Sequence, residues 1–309
     1  MKRDFTRLLD ITKKECDHLL KRAKRLKELR REGKPYQPLA GRTLAMIFEK
    51  ASTRTRISFE VGMHELGGHA IFLSPSETQI GRGEPIRDTA RVMSRYVHGV
   101  MVRTFSQTIV DDLAKWATIP VINGLSDQLH PCQVLSDLFT IGEYKGDLRN
   151  VKVAYIGDGN NVANSWIEAA ILLKIPFSIA TPKGYLPDAE LVKMASEGPG
   201  FTLTDDPAEA VRDADVIYTD VWVSMGRESE QASRKKAFKG YKIDDTLLKA
   251  AHRDVIVMHC LPAYRGQEIT DEVFERFSDV IFTQAENRLH AQKALLEWLL
   301  KGSAKALAE

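Results

Sequence analysis

The pattern of apolar and polar positions divides this chain into two series of alternating segments. Short apolar runs, typical of strands buried on both faces of a sheet, alternate with longer stretches whose apolar residues recur at helical spacing. The first series predicts strands at 43–48, 70–73, 99–103 and 120–123 and helices near 55–66, 87–97 and 106–117. The second series predicts strands at 151–156, 176–180, 216–219, 254–259 and 280–283 and helices near 162–174, 187–197, 207–213, 270–277 and 287–300. This alternation predicts an α/β protein with doubly wound parallel sheets.

A break between the two series lies at 142–150, where Lys145-Gly146-Asp147 interrupts a helical pattern just before a new strand. A chain of 309 residues is long enough for about two domains. We therefore expect two domains, 1–147 and 148–286, each with a central parallel sheet. In open parallel sheets ligands bind beyond the carboxyl ends of the strands, so those positions carry the candidate chemistry.

Composition and charge narrow the class of function. With 44 basic and 42 acidic residues the net charge is only +2, which argues against a dedicated nucleic-acid-binding protein. No apolar run approaches the roughly 18 residues of a membrane span, and the first residues lead into no signal-peptide core. The three cysteines, Cys16, Cys132 and Cys260, form no zinc-binding or disulfide pattern, so we expect a cytoplasmic protein without a metal site.

The segment Ser52-Thr53-Arg54-Thr55-Arg56 stands between a predicted strand and a predicted helix. At such a junction the free backbone N–H groups and the positive end of the helix dipole bind anions. The hydroxyl and guanidinium groups add donors that match phosphate oxygens. An ordinary Ser/Thr cap on a surface helix is the alternative. The local chemistry favours a phosphate site.

Three further positions lie at strand ends of the same predicted domain. Arg103 ends one strand, and His130 and Gln133 stand at the start of another helix. Arg and His can donate to a developing oxyanion, and Gln offers both a donor and an acceptor. We expect these side chains to converge on the anion held by 52–56. A capping or core histidine is the alternative for His130, and Cys132 is better explained by packing.

The second series carries polar residues at the ends of three predicted strands. Gly157-Asp158-Gly159 starts like a dinucleotide fingerprint, but Val162 replaces the third glycine, so a nicotinamide cofactor is only weakly indicated. Asn160-Asn161 instead suits a polar small molecule. Asp220 offers a carboxylate for an ammonium group, or caps a helix. His259-Cys260 suggests a thiol nucleophile, but adjacent strand residues point to opposite faces, which argues against a catalytic dyad.

Taken in order, these motifs resemble those of the aspartate/ornithine transcarbamoylase family, and of its ornithine branch in particular. The matching segments are 52–56, Arg103, 130–133, Asp220, Ser224-Met225-Gly226 and His259-Cys260-Leu261-Pro262. The first three resemble the family's carbamoyl-phosphate elements, and the last three resemble the ornithine branch. The shared order of all the motifs, from residue 43 to residue 290, makes the resemblance specific.

The resemblance implies a role for each matching position. Contacts with carbamoyl phosphate are implied for Ser52, Thr53, Arg54, Thr55, Gln79, Arg103, His130, Gln133, Cys260, Leu261 and Arg288. Contacts with ornithine are implied for Asn161, Asp220, Ser224 and Met225. The residues implied to be catalytic are Arg54, Arg103, His130, Asp220 and Cys260. Gln79 is expected in a loop that reaches the site of a neighbouring subunit.

The resemblance also implies an activity, a fold and an assembly. The carbamoyl group of carbamoyl phosphate would pass to the δ-amine of L-ornithine, giving L-citrulline and phosphate, in arginine biosynthesis or in the reverse, catabolic direction. No cofactor and no metal would be needed. The active site would lie between a carbamoyl-phosphate-binding domain, 1–147, and an ornithine-binding domain, 148–286. The last helix, about 287–309, would pack back on the first domain, and the chain would form a homotrimer or a multiple of trimers.

Several alternatives are left open by the sequence. The aspartate branch is the closest competitor, but it is expected to carry consecutive lysines after the position of Gly81, where Arg82-Gly83-Glu84 stands here. The others are a nicotinamide-dependent dehydrogenase built on 151–163 and a non-catalytic member that binds an anion. The group that accepts the proton of the attacking amine is also open between the leaving phosphate and a Cys260 thiolate.

Overall fold

The computed structural model describes residues 2–74, 83–224, 226 and 228–301. The chain divides into two compact units. The first comprises the chain up to Phe139 together with the end of the chain from Asn287, and the second comprises Thr140–Glu286. Within the described residues, no helix combines the length and apolar character that crossing a bilayer requires.

The first unit is built on a parallel sheet of four strands in the order β2-β1-β3-β4. Its strands are β1 (Thr43–Phe48), β2 (His69–Leu73), β3 (Gly99–Arg103) and β4 (Val121–Leu125). Its helices are α1 (Lys13–Arg31), α2 (Thr53–Glu65), α3 (Ile86–Tyr96), α4 (Gln107–Trp116) and the first part of α5 (Pro131–Lys145). Phe48 pairs with Arg103, so β1 and β3 end side by side.

The second unit is built on a parallel sheet of five strands in the order β7-β6-β5-β8-β9. Its strands are β5 (Val153–Ile156), β6 (Phe177–Ala180), β7 (Phe201–Thr204), β8 (Val216–Thr219) and β9 (Ile256–His259). The remaining helices are α6 (Asn161–Leu173), α7 (Ala189–Ser196), α8 (Pro207–Val211), α9 (Gln231–Ala237), α10 (Asp245–Leu248), α11 (Asp271–Arg276) and α12 (Ser278–Leu300). Helix α12 starts in the second unit and ends in the first.

Both sheets contain a point where the strand order reverses. In the first sheet the reversal lies between β1 and β3, and in the second it lies between β5 and β8. Ligands of open α/β sheets bind outside the carboxyl ends of the strands at such points. The 52–56 segment and Arg103 follow or end the first pair of strands, and Asn160 and Asp220 follow the second pair. The fold class is therefore as predicted, with two α/β units that each have a central parallel sheet.

Each unit buries its own apolar core against its sheet. In the first, Val100 and Val102 of β3 pack with Val110 and Leu113 of α4, all fully buried. In the second, Ile217 and Val257 belong to a cluster of buried residues that also contains Ile269, Val273 and Phe274. Strands buried on both faces explain why these segments read as continuous apolar runs.

In the second series the structure corrects one predicted element and adds a strand that was not predicted. The run at 280–283 is the first part of helix α12, not a strand, because Ile281 is buried on one face of the helix while Phe282 is exposed. A short apolar run cannot be assigned to a strand or a helix by periodicity alone. Strand β7 was not predicted, although Phe201-Thr202-Leu203-Thr204 has the alternation of an edge strand.

The end of the chain packs on α1 and α2. The Lys27 ammonium donates to the Asn287 amide oxygen at 2.7 Å, and the Arg22 guanidinium pairs with Glu297 at 2.8 Å. Trp298 is buried under the Arg3 guanidinium, which lies 4.8 Å from its ring centroid. These contacts join the two ends of the chain within the first unit. The domain limits 1–147 and 148–286 stay a prediction.

Candidate functional site

The start of α2 presents an anion-binding arrangement in the first unit. Ser52 caps the helix with extended backbone, and its hydroxyl accepts from the Thr55 N–H at 3.2 Å. Thr53 and Arg54 are the first two residues of the helix, in the turn whose backbone N–H groups point out of the helix end. The helix dipole adds partial positive charge at the same end. This local structure forms because Ser is a preferred cap and β1 ends just before it.

The positive charges of three guanidinium groups act on His130 in the same unit. His130 is 6% exposed, Arg103 is equally buried, and Arg288 is 3% exposed. Burial lowers the pKa of His130 well below its ordinary value of 6.5, and the positive charges of Arg288, Arg103 and Arg54 lower it further. A neutral imidazole amid three fixed cations can donate a hydrogen bond without adding charge. The cluster is suited to an anion that carries more than one negative charge.

Arg288 is held in place by three polar side chains. Its guanidinium donates to the Gln133 amide oxygen at 2.7 Å and to the Thr55 hydroxyl at 3.2 Å. The Gln292 amide fits with its oxygen toward the same guanidinium, at 2.9 and 3.1 Å. Arg288, the start of α2 and the start of α5 therefore meet at one place. Gln292 was missed by the sequence reasoning, although it stands one helical turn after Arg288 and so faces the same side.

Polar contacts also join the segments that follow β1, β3 and β4. The Thr104 hydroxyl donates to the Glu49 carboxylate, and the Lys50 ammonium pairs with Asp127. The Lys50 ammonium also lies 4.3 Å from the ring centroid of Phe105. Lys50 is only 7% exposed, which is unusual for a lysine, and its ion pair with Asp127 joins the segments that follow β1 and β4. A lysine two residues before the 52–56 motif was the available signal in the sequence.

The second unit holds a carboxylate among neutral donors. Asp220 directly follows β8 and is 7% exposed. One of its oxygens accepts from the Val221 N–H at 2.8 Å and from the Cys260 thiol at 3.0 Å. The other accepts from the Asn160 amide at 2.7 Å. A buried carboxylate in this setting is suited to bind an ammonium group.

The residues after β9 have separate partners. The His259 ring accepts from the Leu261 N–H at 2.9 Å through Nδ1, and its Nε2 lies 3.2 Å from the Glu268 carboxylate. Nδ1 therefore carries no proton, and Nε2 donates to Glu268. Leu261 has a φ of 58°, and its turn is held by this contact. The Cys260 thiol turns to Asp220 instead, so His259 and Cys260 do not act as one pair.

Asp220, His259 and Cys260 each offer an atom that could ligate a metal ion. These three atoms lie within 4.8 Å of one another. Both ring nitrogens of His259 already have partners, Leu261 and Glu268. The ring could ligate a metal ion only after losing one of these contacts. The expectation of no metal site stays a prediction.

The glycine-rich segment after β5 has a structural explanation. A Cβ on Gly159 would lie 2.3 Å from the backbone nitrogen of Pro187 and 2.6 Å from the carbonyl oxygen of Tyr185. The Gly159 N–H donates to that carbonyl at 2.9 Å. The glycine is required because 185–187 passes directly over it. In a dinucleotide fingerprint, a glycine lets the backbone approach a pyrophosphate. Here Gly159 is explained instead by the close approach of residues 185–187.

The structure thus groups the predicted site residues within each unit. The first unit brings together Ser52, Thr53, Arg54, Thr55, Arg103, His130, Gln133 and Arg288. The second holds Asn161, Asp220, Ser224, Cys260 and Leu261, which follow β5, β8 and β9. Gln79 and Met225 lie outside the described residues. One group can bind a phosphate-bearing anion, and the other can bind an amino acid.

Comparison with known proteins gives a consistent result over the whole chain. Residues 3–143 match the family model "Aspartate/ornithine carbamoyltransferase, carbamoyl-P binding domain", and residues 149–299 match the model "Aspartate/ornithine carbamoyltransferase, Asp/Orn binding domain". The chain is 55% identical to a protein of Methanoculleus marisnigri named ornithine carbamoyltransferase, over 98% of both chains. It is also 55% identical to one of that name from Archaeoglobus fulgidus, over 95% of this chain and 96% of the relative.

Solved structures named ornithine carbamoyltransferase or ornithine transcarbamoylase share the fold over nearly the whole chain. The ornithine carbamoyltransferase from Pyrococcus furiosus is 52% identical, covers 97% of both chains and gives a TM-score of 0.92. The ornithine transcarbamoylase from Giardia lamblia is 30% identical, covers 97% of this chain and 98% of its own, and gives a TM-score of 0.87.

Proposed function

Because the chain belongs to the aspartate/ornithine carbamoyltransferase family, we propose that it transfers the carbamoyl group of carbamoyl phosphate to the δ-amine of L-ornithine, giving L-citrulline and phosphate. The family comprises an aspartate and an ornithine branch, and the relatives that are 55% identical over nearly the full chain bear the ornithine name. The observation that carries the site assignment is the cluster of Arg54, Arg103 and Arg288 around a neutral, buried His130.

The first unit supplies the groups for the acyl donor. Arg54 and the N–H groups at the start of α2 hold the phosphate, and Arg288 neutralises its charge. His130 stays neutral and donates a hydrogen bond to the carbamoyl oxygen as it becomes an oxyanion, together with Thr55 and Arg103. Loss of one such donor costs about 10²–10³ in rate.

The second unit supplies the groups for the acceptor. Asp220 binds the α-ammonium group of ornithine, and Asn161 and Ser224 contact its amino-acid part. The unprotonated δ-amine attacks the carbamoyl carbon, the tetrahedral intermediate forms, and the C–O bond to phosphate breaks with its electron pair leaving on the phosphate. This transfer needs no cofactor, because holding the two reactants in the right orientation and stabilising the developing charge lower the activation barrier.

The departing phosphate is the better candidate to take the proton of the amine. The Cys260 thiol donates to Asp220 at 3.0 Å. A thiolate at that position would place two negative charges in contact inside a partly buried site, which is unfavourable. Cys260 therefore holds Asp220 by a hydrogen bond and lies next to the reacting group. It does not act as a base.

A citrulline assay tests the proposed function directly. Carbamoyl phosphate is supplied with ornithine, aspartate, putrescine or N-acetylornithine, and we expect product with ornithine alone. Arg54→Gln should lower the rate by about 10²–10³, because one charged donor is lost from the transition state. The matched control is Arg87→Gln, since Arg87 is also the second residue of a helix, α3, and is 60% exposed.

The outcomes separate the alternative functions. Product with aspartate instead of ornithine would move the chain to the other branch of the family. A folded chain that forms no carbamoylated product but still binds phosphate would be a non-catalytic member. Nicotinamide binding in a fluorescence titration would support the dehydrogenase hypothesis.

For assembly and location, we propose a homotrimer, or a multiple of trimers, in the cytoplasm. Uncovered apolar side chains on the first unit support an assembly, because Ile57 of α2 is 53% exposed and Ile71 of the edge strand β2 is 39% exposed. All three cysteines are free, which is typical of a reducing compartment.

A further inference from the structure

The side-chain amide of Asn160, in the loop after the neighbouring strand β5, orients the Asp220 carboxylate. Its two oxygens have three neutral partners, the Val221 N–H, the Cys260 thiol and the Asn160 amide. The contact with Asn160 is the shortest of the three, at 2.7 Å, and it spans the reversal point between β5 and β8. A donor from the β5 side therefore fixes a carboxylate on the β8 side.

The orientation of the Asn160 amide is determined by its other contacts. Its oxygen accepts from the Val162 and Ala163 N–H groups at 2.9 and 3.1 Å, which caps α6. The same oxygen lies 3.2 Å from the Tyr155 hydroxyl. With donors on one side and a carboxylate on the other, only one placement of the amide satisfies every group. The oxygen caps the helix, and the NH₂ group is left for Asp220.

Tyr155 supports this arrangement from within the sheet. It is fully buried on β5, and its ring stacks on Tyr218 of β8 at 5.8 Å between centroids. Burial raises the pKa of Tyr155 well above its ordinary value, and the negative charges of Asp220 and Asp158 raise it further. The phenol therefore keeps its proton and donates to Asn160.

The groups around Asp220 do not neutralise its charge, so its carboxylate can bind a positively charged ligand. Asp158, in the loop after β5, pairs with Arg234 at 2.7 Å, and Arg234 is 2% exposed. In the described part of the chain, by contrast, the partners of Asp220 are neutral. A buried carboxylate without a cation is costly unless a positive group binds there. The crevice is thus prepared for one ammonium group.

We propose that Asn160 is a positioning residue for the acceptor amino acid. It holds Asp220 so that the remaining lone pairs of the carboxylate face the α-ammonium group of ornithine. This inference rests on the proposed function, since it assigns Asp220 to the acceptor. It adds a residue that touches no substrate and that determines acceptor affinity through Asp220.

The variant Asn160→Asp separates this role from helix capping. Asp caps a helix as well as Asn does, so α6 keeps its start. The NH₂ group is replaced by an oxygen that faces the Asp220 carboxylate, so the two acids must share a proton or repel. We expect KM for ornithine to rise about 10- to 100-fold, the size of a lost hydrogen bond to a charged group. KM for carbamoyl phosphate should change by less than about twofold, because the groups proposed to hold its phosphate are in the first unit.

Two further variants test whether the effect passes through Asp220. Asn160→Ser keeps a capping oxygen but has no amide donor, and it should also raise KM for ornithine. The reciprocal double variant Asn160→Asp/Asp220→Asn restores one acid and one amide across the contact. The double variant should bind ornithine more tightly than the sum of the losses measured in the two single variants predicts. The same-helix control is Asn164→Asp, whose side-chain oxygen can still accept from the Asp188 N–H.

Thermal denaturation of each variant shows whether it is folded, and the kinetics then decide. An unaltered KM for ornithine in folded Asn160→Asp and Asn160→Ser would overturn the proposal. So would equal losses for both substrates, or strictly additive effects in the double variant, because a purely structural role gives those results. A wild-type chain that makes no citrulline would instead contradict the proposed function, which the first measurement reveals on its own.

Discussion

His130 shows how a single side chain takes its properties from its surroundings. Alone, a histidine at the start of a helix is as well explained by capping as by chemistry. Within the first unit its burial lowers its pKa, and the positive charges of Arg288, Arg103 and Arg54 lower it further, so it stays neutral. A neutral imidazole is a hydrogen-bond donor for an oxyanion and a poor general acid, so the structure favours electrostatic stabilisation over proton transfer at this position.

The lowered pKa of His130 predicts a dependence of stability on pH. The unfolded chain binds a proton near pH 6.5, while the folded chain binds it only at lower pH. The contribution of neutral His130 is therefore complete above pH 6.5 and is lost as the pH falls toward the folded-state pKa. Without this histidine, the free energy of unfolding should fall less steeply as the pH decreases below 6.5. We expect His130→Gln to reduce that slope by up to about 1.4 kcal/mol per pH unit.

Urea denaturation between pH 7.5 and about pH 5 measures this difference. The control is His64→Gln, which removes an exposed histidine of α2. If the wild type and His130→Gln lose stability with the same slope below pH 6.5, the burial of a neutral His130 is not the cause.

At the scale of elements, the site depends on where strands end and helices begin. The sequence predicts most of these junctions because caps and apolar runs are local signals. Ser52 and Asn160 both cap helices that follow buried strands, as the patterns indicate. The run at 280–283 was assigned to the wrong element, because only tertiary packing decides whether a short apolar run pairs in a sheet or winds into a helix.

Gly159→Ala tests the close approach of two segments in the second unit. The added Cβ would lie 2.3 Å from the Pro187 backbone nitrogen, and backbone cannot move away as a side chain can. We expect the free energy of unfolding to fall by about 1–3 kcal/mol or more, as in other overpacked sites. Asn160 is the next residue after Gly159, so acceptor affinity should fall with stability.

The matched control is Gly142→Ala, at a helical position of α5 with nothing within 4 Å of the new Cβ. There the same change should stabilise by about 0.5–1 kcal/mol, because alanine favours helix. Denaturation of both variants measures the contrast. A neutral effect at Gly159 would mean that 185–187 does not lie against it.

At the scale of the whole molecule, the chain returns to its first unit at its end. Helix α12 begins among residues of the second unit and brings Arg288 and Gln292 to the start of α2. Sequence motifs place Arg288 more than 200 residues after the 52–56 segment, and no local pattern predicts their contact. The contacts of Arg288 with Thr55 and Gln133 therefore form only when the last helix packs into the first unit.

The assembly proposed above makes a further prediction at this scale. Light scattering at micromolar concentration should give a mass of three times the 34.7 kDa of one chain, or a multiple of that mass. The physical reason is that apolar side chains such as Ile57 and Ile71 gain by leaving water. A stable mass of one chain with full activity would contradict the trimer.

The sequence by itself determined the class of fold, the order of nearly all strands and helices, and the residue types available for an anion and for an amino acid. It could do so because hydrophobic periodicity, helix caps and strand-end positions are encoded locally. Tertiary structure decided which of those residues meet. The positive charges of three guanidinium groups from distant parts of the chain act on His130, and an amide on β5's loop orients Asp220 after β8. These encounters follow from strand order and from the return of α12, and burial then gives each group its charge state and its partners.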